Sequence, residues 1–143
     1  MTIEDNLEIH YRDINPGANC VELKVDEEFF SYTKAIKSAL RQNPQWVLLS
    51  EARSTEVKYL LECFSTGLHG LTTLHTDDTR KIPDRIQNMM QDSYAASRME
   101  NDIYSFLNVG ILLCKKATGN GKVFRFVDQI CLFDRIGEEN ESI

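Results

Sequence analysis

One short apolar run and a second, threonine-rich strand-like run, each broken off by polar and charged residues, set the strongest limit on what this chain can fold into. Trp46 to Leu49 ends in Ser50-Glu51-Ala52-Arg53, and Leu71 to Leu74 ends in His75-Thr76-Asp77-Asp78. An unalternating run of about four apolar residues is too short for a helix and reads as a strand covered on both faces, as central parallel strands are. A helix-length segment separates the two. In open α/β sheets, ligands sit beyond the carboxyl ends of the strands. Glu51 and His75 therefore fall on a ligand edge.

The flanking segments read as support for that edge. Met1 to Ile9 reads as a strand carrying Glu4, Asp5 and Glu8, and Asn15-Pro16-Gly17-Ala18-Asn19 as a turn. Val21 to Val25 alternates like a half-exposed strand. Asp26 to Gln42 is expected to be a helix, with Phe29, Tyr32, Ile36, Ala39 and Leu40 inward and Pro44 as its stop. Ser54 is the expected N-cap of a second helix facing inward through Val57, Leu60, Leu61 and Phe64, closed by Gly67. Further helices are expected over Thr79–Gln91, starting near Lys81 or Ile82 because of Pro83, and over Tyr94–Phe106. Gly119-Asn120-Gly121 between the apolar runs Val109–Cys114 and Val123–Phe133 predicts an antiparallel hairpin. The acidic tail Gly137–Ile143 is expected to fray. The expected fold class is α/β, a mostly parallel sheet with flanking helices ending in an antiparallel β-hairpin, in one domain.

At 143 residues the chain is long enough for a real core, and its net charge of −6 argues against direct nucleic-acid binding. It contains neither a run of about 20 apolar residues nor a signal-peptide pattern, which points to a cytoplasmic protein. Four cysteines at 20, 63, 114 and 131 form no CxxC pair, so neither zinc nor a disulfide framework is expected. Cys63 and Cys114 read as small core residues.

The residues that could carry chemistry are few. Glu51, at a strand tip before a helix, suits a base or water-orienting group for hydrolysis at a phosphate; a solvated loop glutamate is the alternative. His75 suits phosphate contact, or else is a hydrogen-bonded structural histidine. Glu4, Asp5 and Glu8 offer oxygen ligands for magnesium, directly or through water, or simply end an exposed strand. His75, Asp77 and Asp78 form a weaker candidate set for a hydrolytic metal. No GxxxxGK[ST] or GxGxxG loop occurs, so the chain carries no phosphate cradle of its own.

Taken together, these pieces resemble the type II/type IV secretion and pilus-assembly ATPases, hexameric motors with a RecA-like core. Residues 2–8 (TIEDNLE) resemble that family's Asp box, residues 39–44 (ALRQNP) its ALRQ(D)P segment, residues 46–53 (WVLLSEAR) its Walker B strand, and residues 66–76 its His box. The C-terminal helices and hairpin, 79–135, fall where the family has them. The resemblance covers nearly the whole chain and implies a partial RecA-like P-loop NTPase core lacking the Walker A half. It implies that Glu51 activates water, that Glu4, Asp5 and Glu8 position magnesium and water, and that His75 reads the γ-phosphate or couples subunits. Arg53 would hold the Walker B edge, with Ser50 and His69 beside the nucleotide. Ser50 stands where the family has glycine, and Leu68 intervenes before His69.

The resemblance also implies ATP and Mg2+ as ligands of the complete protein, a hexamer, a membrane-embedded secretion or pilus platform as partner, and a peripheral position at the inner face of the cytoplasmic membrane. Without a phosphate cradle, this chain alone is expected neither to bind ATP tightly nor to hydrolyse it. An apolar edge beside Met1–Leu7 and Val47–Leu49 is expected to self-associate or to pair with a missing segment. A non-catalytic module docking onto a complete motor or membrane platform is the competing reading, and a stand-alone metal hydrolase is the third.

Overall fold

Two compact units make up the chain, Met1–His75 and Thr76–Ile143. The computed structural model describes residues 1–26, 28–54, 56–90 and 96–134, the side chains of 96–99 excepted. The expected N-terminal end of the Tyr94–Phe106 helix and the acidic tail lie outside the described residues.

The first unit is built on four parallel strands: β1 (Thr2–Glu4), β2 (Glu22–Lys24), β3 (Trp46–Leu49) and β4 (His69–Thr72). Their spatial order is β2-β1-β3-β4. Ile3 lies opposite Leu23 on one side and Leu49 on the other, and Leu49 in turn lies opposite Thr72. Glu4-Asp5, Ser50 to Arg53 and Thr73 to His75 therefore leave the sheet side by side from its carboxyl edge. Both β1 and β3 are inner strands. The apolar edge expected beside Met1–Leu7 and Val47–Leu49 does not exist in this sheet, because each backbone is paired on both sides; its edges are β2 and β4.

One short helix, α1 (Tyr11–Ile14), was not foreseen, and two longer ones follow, α2 (Tyr32–Gln42) and α3 (Glu56–Ser65). Ile3, Ala35, Ile36, Ala39, Val47, Leu49, Val57, Leu60 and Cys63 make the core of this unit. Each fully buried large aliphatic residue contributes about 1.5–3 kcal/mol. Helix α2 starts later than the periodicity predicts. Asp26 and Phe30 close a separate turn, with the Phe30 amide on the Asp26 carbonyl at 2.7 Å, and Ser31 then caps the helix by accepting from the Lys34 amide. Phe29 is left 72% exposed instead of facing the core. The helix ends at Asn43, which adopts left-handed backbone (φ 47°), so the stop comes one residue before Pro44. Trp46, expected to be covered, is half exposed, while Val47 and Leu49 are buried. Strand β4 begins two residues earlier than the run Leu71–Leu74 suggested, because pairing with β3 sets its bounds. Gly67 ends α3 with φ 92°, as its C-terminal position requires.

The second unit holds a 3₁₀ turn (Thr79–Lys81), α4 (Ile82–Met89), α5 (Ala96–Phe106) and the hairpin of β5 (Val109–Ala117) and β6 (Val123–Leu132). Pro83 sits in the first turn of α4, where its missing N–H costs nothing. The hairpin closes through Thr118 to Lys122, with Gly121 at φ 78°. One face of it carries Gly110, Leu112, Cys114, Gln129 and Cys131. Gly110 is buried, with Ile82 and Phe133 crowding its position, and Gln129 accepts from both the amide and the hydroxyl of Thr79 at 3.0 Å. Cys63 is fully buried as expected, whereas Cys114 is only half-buried.

Candidate active site at the carboxyl edge of the parallel sheet

The three parallel strand ends bring Asp5, Ser50, Glu51, Arg53 and His75 into one polar network. Arg53 is its centre. Its Nε donates to Glu51 Oε2 at 2.7 Å, and its Nη1 lies 3.3 Å from Asp5 Oδ2, so one guanidinium joins the ends of β1 and β3. The other Glu51 oxygen, Oε1, lies 3.2 Å from His75 Nε2. Glu51 is thus held from two sides by groups of its own unit, yet its side chain keeps about a fifth of its surface open. The Glu51 hydrogen bond, and then its charge and that of Asp5, hold the Arg53 guanidinium above its ordinary pKa.

Beneath this network runs a second set of contacts. The Tyr32 hydroxyl, from the first turn of α2, accepts from the Asp5 amide at 3.1 Å and lies 2.9 Å from Ser50 Oγ. Thr73 donates its hydroxyl to the Ser50 carbonyl at 2.6 Å, and the Ala52 amide donates to the Thr73 carbonyl at 2.8 Å. The ends of β3 and β4 are locked together beyond their ladder. Burial pushes the Tyr32 phenol up from its usual pKa. At Asp5, burial pushes upward too, but the Asn6 amide, the Tyr32 hydroxyl and the Arg53 charge outweigh it and bring the carboxyl below its usual value.

Glu4 does different work. It is buried, and its Oε2 accepts the amides of Glu8 and Ile9 at 2.8 and 2.9 Å. The carboxylate thereby folds the chain back after β1, which is why the strand stops at three residues. Glu8 contributes that amide and leaves its own side chain exposed. Glu56 plays a parallel part at α3, where its Oε1 accepts the amides of Arg53 and Ser54 at 2.5 and 2.7 Å. It fixes the Glu51–Arg53 loop from below.

His69 is not brought to this network. It pairs with Trp46 at the amino end of the strands and packs on its ring at 5.1 Å between centroids. Asp77 and Asp78 carry their own cations: Lys81 Nζ sits 2.9 Å from both Asp77 oxygens, and Arg80 makes a forked pair with Asp78. No three acidic, histidine or cysteine side chains converge as a metal site among the described residues. This overturns the hydrolytic metal set of His75, Asp77 and Asp78. It also means that the residues around Glu4 and Asp5 do not fit a directly ligated magnesium ion, since Glu4 is spent on backbone amides and Asp5 on Arg53 and Asn6.

Tyr32, Thr73 and Glu56 were missed from sequence. Tyr32 looked like one more inward residue of an amphipathic helix, and nothing in its spacing marks the hydroxyl. Glu56 had a signal, an acidic residue in the first helical turn close behind the loop whose amides it receives.

A parallel sheet that gathers carboxylates, an arginine and a histidine at its carboxyl edge has the arrangement of an α/β ligand site. The comparisons agree. The chain matches the family described as "Type II/IV secretion system protein" over residues 1–131, and it belongs to that family. It is 26% identical over 129 residues to the type IV pilus retractation ATPase PilT of Pseudomonas aeruginosa, covering 86% of this chain and 36% of PilT. It is 33% identical over 98 residues to type II secretion system protein E of Klebsiella pneumoniae, covering 68% of this chain and 19% of that protein. Its fold is that of the VirB11 ATPase from the Brucella suis type IV secretion system, with a TM-score of 0.76 at 21% identity over 92% of this chain and 39% of the other. The chain therefore spans about two fifths or less of these relatives. Among the described residues no helix is long and apolar enough to cross a membrane.

Proposed function

We propose that the chain supplies the C-terminal part of an ATPase motor domain that powers secretion or pilus assembly, with Glu51 as the residue that orients and deprotonates the attacking water. The observation that carries this reading is the placement of Glu51, partly open at a strand tip and held by Arg53 on one oxygen and His75 on the other. A base aimed by two partners but still reachable by water suits attack on a phosphate. To accept a proton, Glu51 must release one of them. His75 is the looser partner, on a side chain 90% exposed, and is the one we assign to sense the γ-phosphate or a neighbouring subunit. Arg53 keeps the β1 and β3 ends together throughout.

Ser50 closes the floor of the site through Tyr32. Glu4 and Asp5 shape the edge and act on magnesium only through water. His69 lies at the other end of the strands, packed on Trp46, and has no part in this step. ATP and Mg2+ belong to the complete protein, as do a hexameric ring, a membrane platform as partner and a place at the inner face of the cytoplasmic membrane. These rest on family membership. The alternative is a non-catalytic module that docks onto a complete motor or platform.

The deciding experiment is the intact mass of the native product in its source cells, read with an antibody to this domain. A species well above 16.4 kDa supports the motor reading, and Glu51→Gln in that species is expected to abolish ATP turnover. A 16.4 kDa species, inactive towards ATP, supports docking. ATP turnover by this chain alone that vanishes in Glu51→Gln would overturn the expected inactivity of the fragment.

A further inference from the structure

Ser50 is the residue from which Glu51 leaves the sheet, and every polar group it has is taken. Its amide donates to the Ile3 carbonyl at 3.0 Å, and its carbonyl accepts the Thr73 hydroxyl at 2.6 Å. These two bonds tie it to β1 and to the chain just past β4. Its hydroxyl lies 2.9 Å from the Tyr32 hydroxyl, a bond that comes from a helix instead of a strand. Tyr32 is buried in the first turn of α2, so packing fixes its ring. Its oxygen also accepts the Asp5 amide at 3.1 Å. One oxygen therefore holds the residues just past the ends of β1 and β3, the same two ends that Arg53 bridges through its guanidinium.

We infer that Tyr32 is a positioning residue for Glu51, acting through the Ser50 hydroxyl. The inference rests on the reading of Glu51 as the group that orients and deprotonates water. In that step the carboxylate releases His75 and keeps Arg53, whose side chain is 55% exposed. What then aims the base is the backbone it stands on. Tyr32 holds that backbone with an uncharged bond, because burial raises its phenol and keeps it protonated. Salt screens such a bond little, and the proton that Glu51 takes up leaves it unchanged. Exposed ion pairs offer neither property. Displacing a reacting group by about 1 Å costs on the order of 100-fold in rate, so a hold at Ser50 bears directly on turnover.

The test reads Arg53, whose Nε–H reports where the Glu51 carboxylate stands. Its hydrogen exchange is followed by NMR on the full chain in wild type, Tyr32→Phe, Ser50→Ala and the double variant. Cys63→Ala is the control, a fully buried change in α3 that lowers stability without touching the hydroxyl pair. Each single variant is expected to speed the exchange roughly fivefold, the effect of one lost hydrogen bond. The double variant is expected to add nothing more, since both changes remove one link. Cys63→Ala is expected to match wild type. Ser50→Ala decides the matter if Tyr32→Phe fails to fold. Unchanged exchange in the folded variants, equal acceleration in Cys63→Ala, or single effects that simply add overturns the inference. In the complete protein, Tyr32→Phe is expected to lower kcat about tenfold at unchanged KM. An unchanged kcat where Glu51→Gln abolishes turnover also overturns it. Turnover that survives Glu51→Gln defeats the reading of Glu51 as the base instead, and the exchange measurement still decides whether Tyr32 holds it.

Discussion

Tyr32 shows how little of a site can be visible in a residue's spacing. Its ring belongs to the buried face of α2, as the periodicity predicts, but its hydroxyl ties the Asp5 amide to Ser50. Tyr32→Phe is expected to cost about 1 kcal/mol in chemical unfolding, because it leaves a partly buried amide without its acceptor. Thr2 gives the opposite case. Its hydroxyl is buried with no hydrogen-bond partner among the described residues, so Thr2→Val is expected to raise stability by about 1 kcal/mol. Cys63 is sealed in the core, and burial pushes its thiol up to about 11. It is expected to resist iodoacetamide at neutral pH in the folded chain while half-buried Cys114 and Cys131 react first, which mass spectrometry of digests would read. The position of Glu51 and His75 at the carboxyl edge could be read from the short strand-like runs that precede them. Tyr32, Thr73 and Glu56 were not, because their roles depend on backbone groups brought near by the sheet.

At the scale of elements, the pattern gave β3, the body of α2 and the hairpin, and it erred where a neighbour sets the bounds. β4 follows the ladder of β3 rather than its own apolar run, and β1 is cut short by the buried Glu4 carboxylate. The close approach of α3 to β4 is one such dependence. A Cβ on Gly70 would meet the Phe64 ring at 2.1 and 2.3 Å and the Val47 carbonyl at 3.2 Å. Gly70→Ala is expected to destabilise by about 1–3 kcal/mol, since the ring must leave its place and the backbone must give slightly. The 3₁₀ turn offers a pH test. Its Asp78 cap accepts the Arg80 amide and pairs with the Arg80 side chain, which lowers the Asp78 carboxyl from 3.8 to about 2. A carboxyl depressed on folding stabilises above its unfolded pKa and loses that contribution as pH falls through its folded value. The melting-point gap between wild type and Asp78→Asn is therefore expected at neutral pH, shrinking between pH 3.8 and about 2.

For the whole molecule, the parallel sheet and the hairpin divide the labour between a charged edge and an apolar face. The sequence pointed to the first and misplaced the second. Self-association was expected of β1 and β3, but these are inner strands, and the open apolar surface lies on β5 and β6 instead. Alternation along the two hairpin runs cannot say which face a helix will cover, and that choice decides what stays open.

The single irregularity of the hairpin has a consequence for how this chain tolerates change in length. Between Leu112 and Leu113 the register slips, so that Asp128 has no counterpart on β5. Removing Asp128 alone would join Gln129 to Val127 without reversing the side on which any other β6 residue stands. Removing Val127 or Gln129 would instead draw Asp128 into the vacated rung and place its carboxylate on a face of the hairpin, and a deletion farther along would turn over the residues between it and the bulge. Position 128 is therefore the place in β6 where a one-codon deletion disturbs least, and a scan of single deletions through Val123–Leu132, scored by amide spectra, is expected to show damage growing with distance from it.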